Sequence, residues 1–458
     1  MAPMIYFAPW AWVEGRWQRD VRLSVDGQGH WLAIEPGASR EGAQLLDGPV
    51  VPSLVDGHSH AFQRAFAGLA ERREARDDDF WSWRDRMYGL ALRITPAQLQ
   101  AIAAQLYVEL LQGGFTQVCE FHYLHHQADG SAHAGDELAM SWALADAAGE
   151  AGLGLTLLPV LYARSGFGQP GLREDQRRFR TDAAWVHAAQ ARVQAAGKPR
   201  VNAGVALHSL RAANADDIRA LQALVGDQDM PIHIHISEQQ AEVAASLAHS
   251  GCRPMEWLCR NAVPDARWHL VHATHSTPEE IAAVAASGAA VVICPGTEAN
   301  LGDGLADMPG WLDAGVPMSL GTDSHVTRGL VEELRWLEYG QRLGLQQRNV
   351  LAAPPGCSAT AARLFDAMLA GSAAPAGLKQ WGLQRGARAD FLVLDRQAPG
   401  LLGVPQEFLL DALLFATQGP ALRDVYVAGR LQVSQGRHVA QAPIAARFEA
   451  AMQELWRV

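Results

Sequence analysis

The stretch VPSLVDGHSHAFQR, residues 51–64, sets a run of Val, Pro and Leu suited to a buried strand against two histidines one residue apart. Side chains alternate along an extended strand, so His58 and His60 share a face. Packing gives no reason for two imidazoles side by side at the end of a buried strand. A metal ion does.

Outward from this stretch the same kind of unit recurs. Short β-rich apolar runs at 50–57, 115–121, 153–162, 201–207, 231–236, 267–273, 289–294 and 317–322 each end in something polar. Between them stand Ala- and Leu-rich segments of helical spacing, such as 97–112, 136–150, 214–225, 277–287 and 329–343. Near-continuous apolar strands alternating with helices indicate an α/β protein with a parallel sheet covered on both faces. Eight of them predict a closed, TIM-like (β/α)8 barrel with its chemistry at the C-terminal strand ends. Those ends read His58/His60, Glu120/His122, Tyr162, His208, His235, His272, Cys294 and Asp323. An even scatter of 17 histidines would not gather so many on one rim.

Residues 1–50 and 383–440 read differently, with short alternating runs (DVRLSV, HWLAIEP, ADFLVLD, RDVYVAGRLQV) punctuated by Gly, Asp and Pro. The two ends are expected to form one small β-sandwich domain beside a barrel spanning 51–382, with 441–458 as a helical tail.

The formal net charge of −11 argues against nucleic acid or an anionic membrane as partner. No run of about eighteen apolar residues exists. The N-terminus has no basic segment leading into a long apolar core, so a cytoplasmic protein is the expectation. Cys119, Cys252, Cys259, Cys294 and Cys357 are odd in number and share no CxxC spacing. They suit neither a disulfide framework nor a cysteine–zinc site.

In PIHIHISEQQ (231–240), His233 and His235 share a face, but His235 lies nearer the rim. His235 is therefore the ligand, and His233 a second-layer or core histidine. Glu238, three residues on, reaches a metal-held water without ligating; its plainer reading is an acid at the N-terminus of the next helix. LVHATH puts His272 at the end of the sixth strand, aimed at a reacting atom, and His275 in the loop beyond. SLGTDSH puts Asp323 at the end of the eighth strand: a helix cap if alone, a fourth ligand beside three inward histidines. Three imidazoles and a carboxylate, with no thiolate, suit zinc with an open position for water, iron being the other candidate. Such an ion makes hydroxide available near pH 7. Glu238 then shuttles the proton, while Asp323 and His272 orient the nucleophile. The chemistry is metal-assisted hydrolysis.

HxH after strand one, HxxE at strand five, His at strand six and Asp at strand eight resemble the amidohydrolase superfamily in its aminohydrolase branch. GHSHAFQRAFAGLAE, FWSWRDRMY, EFHYLHH, LHSLRA, HIHISEQQ, LVHATH, TEANLGDG and DSHVTRGLVEELRWLEYGQR resemble, within that branch, the formimidoylglutamate deiminase family over about residues 48–345. Two-metal relatives bridge their metals with a carboxylated lysine. Here Lys198 precedes its strand and Lys379 lies outside the barrel, which favours one metal per chain.

The resemblance implies hydrolysis of N-formimidoyl-L-glutamate to N-formyl-L-glutamate and ammonia, a step of histidine degradation, by attack of metal-bound hydroxide on the formimidoyl carbon. By the same resemblance His58, His60, His235 and Asp323 hold zinc, Glu238 is the proton acceptor and His272 assists. Gln63, Arg84, Tyr123, His208 and Arg211 bind substrate, and the chain forms a homodimer. The residues suit such a substrate independently, since guanidinium forks pair with its two carboxylates. Two rival readings stand beside this one. A zinc deaminase of a purine or other heterocycle would want an apolar or aromatic base pocket in place of two arginines. A non-catalytic barrel that binds a small acid would hold no metal.

Overall fold

The computed structural model describes residues 3–73 and 79–457. The predicted barrel forms. Its strands are Leu54–Ser59, Phe115–His122, Gly154–Leu161, the pair Val201–Ala203 and Val205–Leu207, Ile232–Ile236, Trp268–His272, Ala290–Ile293 and Met318–Leu320. Each pairs in parallel with the next, and the ring closes where Leu320 meets Asp56 and Asp323 meets Ser59. Apart from Val201 and Asn202, every strand residue is buried, as helices on the outside and side chains on the inside require. Several helices begin at a capping side chain: Thr95, Asn214 and Thr277 each accept from the third backbone N–H of the helix that follows.

Two strands depart from the reading of the sequence. The run 50–57 is not one strand but two. Val50–Pro52 pairs antiparallel with Phe391–Leu394, Val51 opposite Leu392, and only from Leu54 does the chain enter the barrel. Pro52 has no N–H to give a ladder, and pairing changes hands at Ser53, whose carbonyl accepts from Trp381 Nε1 at 2.8 Å. The run 201–207 breaks at Gly204, where a Cβ would stand 2.5 Å from the Pro231 carbonyl oxygen. Strand four can follow its neighbours there only without a side chain.

The chain ends share a second, largely antiparallel sheet of nine strands among the described residues, which forms a sandwich-like domain beside the barrel. Met4–Val13, Arg16–Val25 and Trp31–Glu35 supply one end and Leu422–Val427, Arg430–Ser434 and Arg437–His438 the other. Three of its hairpins turn on two residues of positive φ: Glu14-Gly15, Ala428-Gly429 and Gln435-Gly436. That geometry matches the twist of the strands it joins. The segment 383–440, read as β-rich throughout, also contains a helix, Leu409–Phe415, with Leu409, Leu410, Leu413 and Leu414 buried. Its apolar face reads as helical only once the neighbours it packs against are known. The last helix, Gln441–Leu455, lies along Pro96–Gln112, with Gln98 donating to Glu454 at 3.1 Å.

Candidate metal centre and active site

The barrel seam positions the first candidate ligands. Asp56, fully buried, accepts from Thr322 Oγ1 at 2.6 Å and Thr322 N at 3.0 Å. Asp323 N donates to the His58 carbonyl at 2.9 Å, and His60 N to the Asp323 carbonyl at 3.2 Å. Beside the seam, buried Glu120 accepts from Ala61 N at 2.6 Å and Ser59 Oγ at 2.8 Å. The turn after strand one is thereby fixed, and His60 points inward. Burial pushes both Asp56 and Glu120 up to about 7.

Four side chains meet there. His58 Nε2 lies 2.9 Å from His235 Nε2 and 3.1 Å from His60 Nε2. Asp323 Oδ1 lies 3.2 Å from His60 Nε2 and 3.5 Å from His58 Nε2. One ligand atom from each of the four is within 4.8 Å of all the others. His60 Nδ1 donates to the Phe121 carbonyl at 2.9 Å and His235 Nδ1 to the His208 carbonyl at 2.8 Å. A carbonyl only accepts, so each Nδ1 carries the ring's hydrogen and each Nε2 is left with a bare lone pair. His58 Nε2 faces both of these nitrogens and can share a hydrogen with only one of them at a time, so a cation held among the three would turn unpaired lone pairs into ligation.

The charge states agree with this donor set. Burial pushes His58 down to about 3, and burial with the neighbouring imidazoles holds His235 well below its usual value. Burial works against the Asp323 carboxylate, but His58 and His60 outweigh it and hold Asp323 well below the usual range. Neutral imidazoles and an ionised carboxylate are what a metal takes. Cys294 Sγ lies near His272 and Asp323 but is not grouped with His58, His60 and His235, and burial raises its thiol pKa well above the usual value.

Facing these four are Glu238 and His272. Glu238 Oε1 is 3.9 Å from His272 Nε2, and Oε2 is 3.8 Å from Arg211 Nη2. Burial raises the Glu238 pKa, which suits a group that must accept and return a proton. His272 Nε2 is 3.8 Å from Asp323 Oδ2. Burial opposes a charge on His272, yet Glu238, Glu298 and Asp323 together push it up to about 10. His272, Ala273, Asp323 and His325 have φ of 72°, 50°, 49° and 63°, a left-handed backbone that side chains adopt at a cost and that gathers at functional sites.

These groups open into a pocket at the C-terminal rim of the barrel. All five residues named from the sequence as substrate contacts line it: Gln63, Arg84, Tyr123, His208 and Arg211. Gln63 Nε2 donates to Tyr123 Oη at 3.2 Å. Arg84 rides on the helix Phe80–Ala91, its guanidinium 4.5 Å from the Trp81 ring. Arg211 lies 5.4 Å from the same ring. His233 is elsewhere, its Nε2 donating to the Pro375 carbonyl at 2.9 Å. His275 is in the loop, its Nδ1 accepting from Gln240 at 2.9 Å. Lys198 pairs with Asp146 at 2.7 Å, with about a third of its side chain exposed.

The sequence reading gave no role to three residues of this region, although it placed Tyr162 at a strand end. Tyr88 and Tyr162 line the pocket and share a hydrogen bond of 3.0 Å. Glu298, in TEANLGDG, stands 3.4 Å from His272 Nδ1. Only the position of Glu298 just after strand seven could have marked it.

A ring of eight parallel strands with a His/His/His/Asp cluster at its C-terminal rim is the architecture of a metal-dependent hydrolase. The amidohydrolase family model matches residues 50–431, and the chain belongs to that family. Over 98% of its length it is 45% identical to the formimidoylglutamate deiminase of Pseudomonas aeruginosa, 99% of which is covered. The crystal structure of an amidohydrolase from Brucella melitensis superposes with a TM-score of 0.93 at 42% identity, covering 99% of this chain and 100% of that one. An adenosine deaminase from Xanthomonas campestris, solved with bound zinc, shares the fold at 22% identity and a TM-score of 0.81, with 99% of both chains covered. The protein is a hydrolase of carbon–nitrogen bonds, a deiminase acting on a small molecule. Among the described residues no helix is long and apolar enough to cross a membrane.

Proposed function

We propose that the chain hydrolyses N-formimidoyl-L-glutamate to N-formyl-L-glutamate and ammonia, with His58, His60, His235 and Asp323 holding one zinc ion. The observation that carries this reading is a single pocket with Glu238 and His272 against the four-ligand cluster and Arg84 and Arg211 on its wall. The 45% identity to a formimidoylglutamate deiminase supports the same substrate. A purine has no carboxylates for the two guanidiniums.

Zinc held by this set supplies the Lewis acidity that makes water nucleophilic near neutral pH. The chain's own groups do the rest. Arg84 and Arg211 take the carboxylates of the glutamate portion, and Gln63, Tyr123 and His208 set the amidine over the cluster. Glu238 takes a proton from the attacking water and returns it to the departing nitrogen. His272, pressed by three carboxylates, offers its Nε2 proton to the tetrahedral centre. A cytoplasmic setting fits the five unpaired cysteines.

The test is a substrate panel on purified protein with its metal measured. Ammonia and N-formylglutamate in equal amounts from N-formimidoyl-L-glutamate, and none from guanine or adenosine, are expected. Ammonia from a purine and none from the amidine would reverse the assignment.

A further inference from the structure

The pocket wall carries a third guanidinium that neither the sequence reading nor the mechanism uses. Arg164 follows the third barrel strand by three residues and lines the same pocket as Arg84 and Arg211. Its backbone is tied to the loop that bears Arg211, Ala163 N and Arg164 N both donating to the Ala212 carbonyl, at 2.9 and 3.2 Å. Its Nη2 donates to Asp217 Oδ2 at 2.6 Å. Asp217 is itself fixed, since the same oxygen accepts from Asn214 N at 2.8 Å and Asp217 N donates to Asn214 Oδ1 at 2.9 Å.

The three arginines share one feature. Arg84, Arg164 and Arg211 each have a buried Nε without a hydrogen-bond partner. A buried donor left unpaired is costly, and three on one wall suit a surface completed by an anionic ligand. They differ in how they are held. Arg84 and Arg211 lie over aromatic rings and meet carboxylates only at longer range, Asp85 at 3.5 Å and Glu238 at 3.8 Å. Arg164 is gripped at one nitrogen by a carboxylate, which fixes the direction of its remaining N–H groups.

Resting on the substrate assigned above, we propose that Arg164 binds one carboxylate of the substrate and, anchored by Asp217, makes the pocket selective for a dicarboxylate over its monoamide. A site built to hydrogen-bond a charged group discriminates strongly against an analogue that cannot complete those bonds.

The metal-loaded enzyme and its R164Q, R164K and D217N variants are compared on N-formimidoyl-L-glutamate, on its γ-amide and on its α-amide. R164Q is expected to raise KM for the diacid on the order of tenfold to a hundredfold, with a much smaller change in kcat. It should also narrow the preference for the diacid over one of the two amides, which names the carboxylate concerned. R164K, which keeps the charge but loses the planar fork, should fall between, and D217N should raise KM less than R164Q. Wild-type KM for the diacid in R164Q and R164K, or an equal loss on all three substrates, overturns the proposal. If R164Q fails to fold by circular dichroism, R164K and D217N decide by the same criteria. Calorimetric titration with glutarate separates this test from that of the overall reaction. Weaker glutarate binding in R164K than in wild type supports the role of Arg164 even in a protein that never turns over the amidine, and equal binding removes it.

Discussion

Two backbone carbonyls decide what the histidines can do. By taking the Nδ1 hydrogens of His60 and His235, the Phe121 and His208 carbonyls leave both Nε2 atoms bare before any ion arrives. Glu238 stands outside that set, so removing its charge should separate binding from turnover. Glu238→Gln is expected to keep about one metal per chain by elemental analysis while kcat falls on the order of a hundredfold to ten-thousandfold. A variant with full kcat would take Glu238 out of the reaction. At this scale the four clustered side chains were legible in the sequence because each sits where an apolar run stops, and an imidazole or carboxylate there has no packing excuse. Arg164 sits in a loop and Glu298 in the short helix Pro295–Leu301, neither marked by a periodic pattern. Their placement depends on Asp217 and His272, residues remote in the sequence.

Elements meet at small residues. Gly321 follows the eighth strand directly, and a Cβ there would stand 2.7 Å from His58 Cβ and 2.8 Å from Cys294 Sγ. Contacts that short must displace something, and His58 is what would move. Gly321→Ala should therefore weaken zinc binding about tenfold to a hundredfold in chelator competition, the usual size of a disturbance behind a metal's ligands. Unchanged affinity would mean that the strand end yields instead. The alternation of strands and helices was plain in the sequence, because a fully covered parallel strand has a composition of its own. The handover at Ser53 and the short helix Leu409–Phe415 were not. Both are decided by which distant segment lies alongside, and no local pattern records that.

The whole molecule is organised around a cluster that is costly when empty. Two bare imidazole nitrogens, a third imidazole and an ionised carboxylate are buried together, so an ion held there would stabilise the fold that brings them together. Stripping it with a chelator should lower Tm, and restoring free zinc to a thousandfold above Kd should recover about 4 kcal/mol. A Tm indifferent to zinc would mean that these four side chains do not share an ion.

Nothing in the composition suggests that strands from opposite ends of the chain join in one sheet; only their common alternation hints at it. The join at Ser53 makes timing matter. A ribosome releases Val50–Pro52 long before it reaches Phe391–Leu394, the strand that pairs with it. Through most of synthesis this young edge lies open to other nascent chains, a recognised route to misassembly. The hazard in making this protein therefore begins with its earliest strands and is discharged only when nearly the last have emerged.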